Sequence, residues 1–270
     1  MSHKSSSILR KVPPGKKKKA GLENPSDPRS PYRLFALIYD RVMDHVPYEE
    51  WAEYLKGIAG RHFGSLPDSI LDLGCGTGRM LYQMGEVRNR TGLDLSVEML
   101  SIARERFSGI RFLEGDFQKK LPFESSSLDW VICTHDSLNY ILDIGLLEKH
   151  FAEVRRILRP GGLYSFDVVT LGNILDNYDT QTIRKTYDDL EMLWTNAYDT
   201  ENEILDSELT FKKNGRLIMR ETHLQRYYTP GQIRRAALSH GFKIIKEHGD
   251  YSRRKPGKTD SLWNFHATAV

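Results

Sequence analysis

The sequence predicts an α/β protein: a doubly wound, seven-stranded Rossmann-like sheet with an inserted antiparallel β cap. Three observations predict it. Short apolar runs alternate with helical stretches between Ser69 and Val169. The first of these runs ends in the glycine-rich turn Gly74-Cys75-Gly76-Thr77-Gly78. After Val169 the alternation gives way to consecutive strand-like runs. Alternation implies parallel strands joined by right-handed crossovers, the turn implies a ligand at a strand's carboxyl end, and the later runs imply an antiparallel insert.

Order is expected to begin at Tyr32. From there to Met43, the residues Phe35, Ala36, Ile38, Tyr39, Val42 and Met43 fall at helical spacings, which predicts one helix. A second helix is predicted from Tyr48 to about His62, its first turn set by Pro47. Ser69 to Leu73 is a short apolar run stopped by glycine and reads as a buried strand; Arg90 to Leu95, Ile110 to Leu113, Leu128 to Thr134 and Leu163 to Val169 repeat it. Leu146, Leu147, His150, Phe151, Val154, Ile157 and Leu158 trace one helical face, closed by Arg159-Pro160-Gly161-Gly162.

Beyond Val169, Thr182 to Tyr187, Met192 to Tyr198, Ile204 to Lys212 and Leu217 to Tyr228 read as antiparallel strands, with Lys213-Asn214-Gly215 as a hairpin turn. Thr229-Pro230 opens a helix through His240, and Phe242 to Glu247 with Ser261 to Ala269 supply two closing strands. The predicted organisation is a basic tail over 1–30, a ligand-binding domain over 31–170 and 229–270, and a cap over 171–228 on the substrate side.

The chain has 270 residues, 39% hydrophobic and 28% charged, and no apolar run approaches the ~18 residues of a membrane span. Its N-terminus lacks the apolar stretch of a secretory signal, so a soluble, cytoplasmic protein is expected. Cys75 and Cys133 are too few for a disulfide framework or a thiolate zinc site, and read as small apolar residues near strand ends. The scattered histidines show no pair at ligand spacing beside a carboxylate, so no metal is expected.

Residues 1–30 hold eight bases and two acids. That is +6 against +3 for the whole chain, leaving the body at −3. A mildly acidic body is a poor footprint for tracking a phosphate backbone. The tail, rich in Ser, Pro, Gly and Lys, has too little apolar surface to offset ordering and is expected to be disordered.

The strongest chemical signal is Leu71-Asp72-Leu73-Gly74-Cys75-Gly76-Thr77-Gly78. Glycines allow the backbone to turn tightly and approach a ligand without Cβ atoms in the way. Asp94 closes the next strand, 20 residues after Gly74, an interval that places a carboxylate for both hydroxyls of a ribose. Arg79 stands where a dinucleotide fingerprint needs its third small residue. Asp116 can accept a hydrogen bond from an exocyclic amine, and Phe117 can lie on an adenine ring. Ribose and base are then accounted for, with no cluster of donors left for a pyrophosphate.

These segments, with Tyr32 to Asp40, Asp136-Ser137-Leu138-Asn139-Tyr140, Leu158 to Gly162 and Glu221-Thr222-His223-Leu224-Gln225-Arg226, resemble the class I S-adenosylmethionine-dependent methyltransferases, and among them the small bacterial YqeM type. The resemblance covers nearly everything from Tyr32 onward. The basic tail departs from it. It implies S-adenosylmethionine as cofactor, with Gly74, Gly76 and Gly78 along its methionine part, Asp94 on the ribose and Asp116 with Phe117 on the adenine. Thr134 and His135 would flank the methyl donor, and Tyr32 and Tyr39 would fold over it. Cys75, Leu95 and Met99 complete the implied cofactor set.

Each assignment has a plainer counterpart, since tyrosines on apolar helical faces are commonly core. Methyl transfer from a sulfonium needs alignment and water exclusion more than a catalytic triad. A base to take the acceptor's proton is drawn from His135, Asp136, Tyr140 and His223, although Asp136 could simply cap the next helix. Alternation puts His223, Gln225 and Tyr227 on one face of their strand. The leading expectation is a methyltransferase acting on nitrogen or oxygen of a small acceptor. The rivals are an RNA methyltransferase using the tail, a non-catalytic cofactor-binding protein and a nucleotide-dependent oxidoreductase.

Overall fold

A computed structural model describes residues 31–270; the tail expected over 1–30 lies outside the described residues. The chain enters through a 3₁₀ turn (Phe35–Leu37), α1 (Tyr39–Val42) and α2 (Tyr48–Phe63). It then alternates through β1 (Ser69–Leu73), α3 (Arg79–Gln83), β2 (Asn89–Asp94), α4 (Val97–Arg106), β3 (Arg111–Glu114), β4 (Leu128–Cys133), α5 (Ile144–Ile157) and β5 (Leu158–Val169). A short helix α6 (Leu171–Asn173) runs into a π turn (Ile174–Tyr178). The meander β6 (Thr182–Tyr187), β7 (Leu190–Asp199), β8 (Ile204–Lys213) and β9 (Arg216–Arg226) follows, and α7 (Pro230–Ser239), β10 (Phe242–Gly249) and β11 (Leu262–Ala269) return the chain to the main sheet.

The main sheet has seven strands in the order β10-β11-β5-β4-β1-β2-β3. Strands β5, β4, β1, β2 and β3 are parallel, and β11 lies antiparallel between β5 and β10. A separate antiparallel sheet runs β6-β7-β8-β9. Both the doubly wound sheet and the antiparallel insert are therefore as expected. Among the described residues no helix is long and apolar enough to cross a membrane.

Side-chain alternation along the parallel strands builds two cores, one per face. Ile70, Trp130 and Ile132 pack with Leu55, Ile58, Met80, Leu81 and Leu100 of α2, α3 and α4. Leu71, Leu73 and Val131 pack with Leu147, Phe151, Val154 and Ile233 of α5 and α7. Cys75 joins the first core and Cys133 the second, so the sheet separates the two thiols. Burial pushes both thiols well above the ordinary range, which suits apolar packing. The helix expected after Thr229-Pro230 is α7, and a capping box of Thr229 and Gln232 starts it.

One local expectation fails. Tyr32 to Met43 is not a continuous helix, because Tyr32 is left-handed at φ 62° and the helical spacing divides between the 3₁₀ turn and α1. Its apolar side chains serve a third core instead: Phe35, Ile38 and Val42 pack on Tyr187, Met192, Leu209 and Phe211 of the antiparallel sheet. The segment is a lid seated between the two sheets.

Candidate active site

Backbone geometry at the carboxyl end of β1 follows from its glycines. Gly74, Gly76 and Gly78 all adopt positive φ, at 75°, 53° and 80°, which side-chain-bearing residues rarely adopt. The amides of Gly74 and Cys75 donate to the carbonyl of Leu93 at 2.8 and 3.2 Å, tying the turn to β2. A Cβ on Gly74 would press Ser137 Oγ at 2.9 Å, whereas one on Gly76 would meet nothing within 4 Å. Gly76 therefore faces open space.

Asp94, at the tip of β2, accepts from the Gly76 amide at 2.7 Å through Oδ2 and from the Ser96 amide at 2.8 Å through Oδ1. With the Leu95 amide as a third donor, the carboxylate still has acceptor capacity left. Burial raises its carboxyl above the ordinary range, opposed by those amide hydrogen bonds. Ser96 caps α4 through the Met99 amide and donates to the Tyr32 carbonyl at 3.1 Å, joining the lid to this loop. Leu95 is exposed beside it, while Met99 is buried. Below the turn, Asp72 is 1% exposed and its Oδ1 lacks a hydrogen-bond partner. Burial first, then the charges of Asp94 and Asp167, push it well upward.

After β3, Asp116 accepts from the Gln118 amide at 2.9 Å and pairs with Lys119 at 3.1 Å. Phe117 presents its ring toward the glycine turn, with Cε1 3.5 Å from where a Gly74 Cβ would stand. After β4, Thr134 is buried, and His135 and Asp136 are both left-handed, at φ 58° and 52°. Two such residues in succession store strain that the surroundings must hold. Asp167 of β5 holds it, accepting the His135 and Asp136 amides at 2.8 and 2.5 Å and the hydroxyl of Tyr251. Burial lifts the Asp167 carboxyl to about 6. Asp136 does not cap the following turn; its Oδ2 accepts from Gln225 Nε2 of β9 at 2.7 Å. Burial lifts Asp136 to about 7.

The lid and β9 close over these loops in two hydrogen-bonded groups. The Tyr39 hydroxyl meets His135 Nδ1 at 3.1 Å, and burial lowers the His135 pKa, keeping the ring neutral. Tyr32 and Tyr140 hydroxyls meet at 2.8 Å, and Tyr140 meets His223 Nδ1 at 2.9 Å. The Tyr32 ring stands edge-on to His223 at 4.8 Å. Burial pushes the Tyr32 and Tyr39 phenols well above their ordinary range, so both keep their protons. Glu221, His223 and Gln225 share the β9 face that makes these contacts. Arg226, on the opposite face, reaches the Leu142 carbonyl and Glu203.

Sequence reasoning missed Asp167 and Tyr251, and gave Glu221 no role. The available signal was an acid inside an apolar strand, Phe166-Asp167-Val168-Val169, which must answer some buried donor. Arg79 is accounted for as well: its guanidinium lies 4.4 Å over the Tyr48 ring and reaches the Met43 carbonyl at 3.3 Å.

Sheet order, glycine turn and acid-tipped strands together define a class I S-adenosylmethionine-dependent methyltransferase. Residues 70–162 match the family profile described as a methyltransferase domain. Over 245 residues the chain is 32% identical to the putative methyltransferase YqeM of Bacillus subtilis (strain 168), spanning 87% of this chain and 96% of that protein. It belongs to that methyltransferase family. The crystal structure of an S-adenosylmethionine-dependent methyltransferase from Clostridium acetobutylicum ATCC 824 shares the fold, with a TM-score of 0.76 at 24% identity, covering 88% of this chain and 98% of that one. So does the CcbJ methyltransferase from Streptomyces caelestis, with a TM-score of 0.73 at 19% identity over 87% and 96% of the two chains.

Proposed function

We propose that this methyltransferase acts in the cytoplasm on a nitrogen or oxygen of a small-molecule acceptor. The observation that carries the reading is the roof. Lid and antiparallel sheet meet over the glycine turn through the Tyr32–Tyr140–His223 chain, a covering that favours a compact acceptor over a nucleic-acid strand. The floor carries Asp72, Asp94, Asp136 and Asp167, and Arg79 is held on the Tyr48 ring and the Met43 carbonyl. Such a floor supplies carboxyl oxygens rather than cations, which suits an acceptor that donates hydrogen bonds more than a phosphate backbone.

The residues present fit S-adenosylmethionine. Gly76 is open to close backbone approach, Asp94 has acceptor capacity left for a ribose, and Asp116 with Phe117 offers an acceptor and a ring for adenine. Gly74, Gly78, Cys75, Thr134, Leu95 and Met99 would shape the rest of the cradle, with Tyr32 and Tyr39 above it. When bound, the cofactor supplies a methyl group made electrophilic by its sulfonium. The protein's part is to align the acceptor, exclude water and take the proton that the acceptor sheds. Tyr140 can accept that proton as its own hydroxyl proton passes to His223 Nδ1. Asp136, steadied by Gln225, would orient the acceptor's donor group, and neutral His135 would wall the methyl path.

A metabolite fractionation tests this. Release of S-adenosylhomocysteine is followed with small-molecule fractions and with an RNA pool, Asp94→Ala serving as control. Turnover with small-molecule fractions alone is expected. Turnover only with RNA, or none with either, would overturn the reading.

A further inference from the structure

Glu221 lies in the middle of β9, 0% exposed. A carboxylate so placed must be compensated, and no lysine or arginine pairs with it among the described residues. Its Oε1 instead accepts two lid amides, those of Leu34 at 2.5 Å and Phe35 at 3.0 Å. These amides open the 3₁₀ turn Phe35–Leu37, whose N-cap is Leu34 with no side-chain cap of its own. Helical starts need an acceptor, ordinarily from Ser, Thr, Asp or Asn at the cap. Here the acceptor arrives from another sheet, 187 residues along the chain.

The second oxygen is placed differently. Glu221 Oε2 has no hydrogen-bond partner, and neither has His223 Nε2, which stands 3.5 Å away. When Tyr140 donates to His223 Nδ1, the ring's hydrogen sits on Nε2, 3.5 Å from that oxygen, close enough for its charge to favour that tautomer without a hydrogen bond. Phe35, whose amide the first oxygen holds, also contacts the His223 ring at 5.8 Å and Trp194 at 5.9 Å. One carboxylate thus touches both the lid and the relay.

We propose that Glu221 is a positioning residue of the methyl-transfer site, one oxygen latching the lid above the glycine turn and the other fixing the tautomer of His223. Lid closure and setting of the Tyr32–Tyr140–His223 relay become one event. The inference rests on the methyltransferase reading for its purpose, but not for its geometry.

Two substitutions in the full-length protein separate the roles. Glu221→Gln keeps a carbonyl oxygen for both amides but removes the negative charge facing His223. Glu221→Leu keeps the volume and removes both. Amide hydrogen exchange of Leu34 and Phe35, ¹⁵N shifts of the His223 ring, and S-adenosylhomocysteine binding by calorimetry are the readouts. In Glu221→Leu, exchange at both amides should quicken about tenfold or more, and affinity should weaken about tenfold, as expected for one lost charge-assisted interaction.

Glu221→Gln should restore both to within about threefold, a neutral acceptor being a weaker substitute. Yet it should no longer hold His223 in the single tautomer with hydrogen on Nε2. Unchanged lid exchange in Glu221→Leu would overturn the latch, as would loss of lid protection in Glu221→Gln. An unchanged tautomer in Glu221→Gln would overturn the link to the relay. Should wild-type protein ignore S-adenosylhomocysteine while the exchange and tautomer changes occur, the latch stands and the methyltransferase reading is what fails.

Discussion

The two ends of the parallel sheet treat their acids in opposite ways. At the amino end, Asp129 accepts from the amide and hydroxyl of Ser69 at 3.1 and 3.0 Å and pairs with Arg159 at 2.7 Å. At the carboxyl end, Asp94, Asp136 and Asp167 rely on amides, one hydroxyl and one carboxamide, and Asp72 leaves Oδ1 without a hydrogen bond, with no lysine or arginine paired to any of the four among the described residues. Burial raises all four. An acid that serves only the fold is neutralised in place. Acids left short of positive charge mark where the molecule keeps capacity for something it does not itself contain.

Substituting one acid from each end should give the largest contrast. Asp94→Ala should weaken S-adenosylhomocysteine binding by about a hundredfold, the loss of roughly 2–3 kcal/mol of charge-assisted contact. Asp129→Ala should leave affinity within about twofold, because its partners are structural. Titration calorimetry on both variants decides the matter, and equal losses would erase the distinction.

The next contrast is in pH. Asp136 and Asp167 have folded values of about 7 and about 6 against an ordinary 3.8. Between these limits the folded protein binds more protons than the unfolded chain, so stability should fall as pH rises from about 4 to 7. Asp136→Asn should flatten that decline by on the order of 2 kcal/mol, after allowance for its remaining solvent contact. Denaturant melts across this range test it, and a slope identical to wild type would contradict the assignment.

Glycines sharpen the comparison further. Gly76 and Gly161 lie near opposite ends of the sheet, at φ 53° and 77°, and a Cβ on either meets nothing within 4 Å. Alanine at each should cost about 1 kcal/mol of stability from the backbone alone. Only Gly76→Ala should also weaken S-adenosylhomocysteine binding, as calorimetry would show. The smallest effect is expected from Lys119→Ala, which removes an exposed ion pair with Asp116 and should shift stability by less than about 0.5 kcal/mol. A larger shift in thermal melting would mean that Asp116 depends on that cation.

The sheet was legible because its signals are local. Apolar runs, glycine stops and the Thr229-Pro230 helix start lie within a few residues of what they specify. Gly74 and Asp94 could be placed in advance for the same reason. The lid could not, since tertiary contacts override helical spacing there: Phe35 faces Trp194 of the antiparallel sheet, and its amide is held by Glu221. Nor could the loop after β4. Nothing local marks His135 and Asp136 as left-handed, because the group that holds them is a carboxylate 31 to 32 residues away, itself braced by Tyr251.

That brace has an optical consequence. Tyr251 stacks on Trp51 at 4.1 Å with ring planes 6° apart, and the same indole meets the His135 ring at 5.6 Å. A neutral imidazole is a poor quencher of indole emission and a protonated one is efficient. Because burial lowers the His135 pKa, the fluorescence of Trp51 should stay bright to more acid solution than a solvent-facing pair would allow. Any ligand that shifts the loop should change that emission, giving the site a built-in reporter that needs no label.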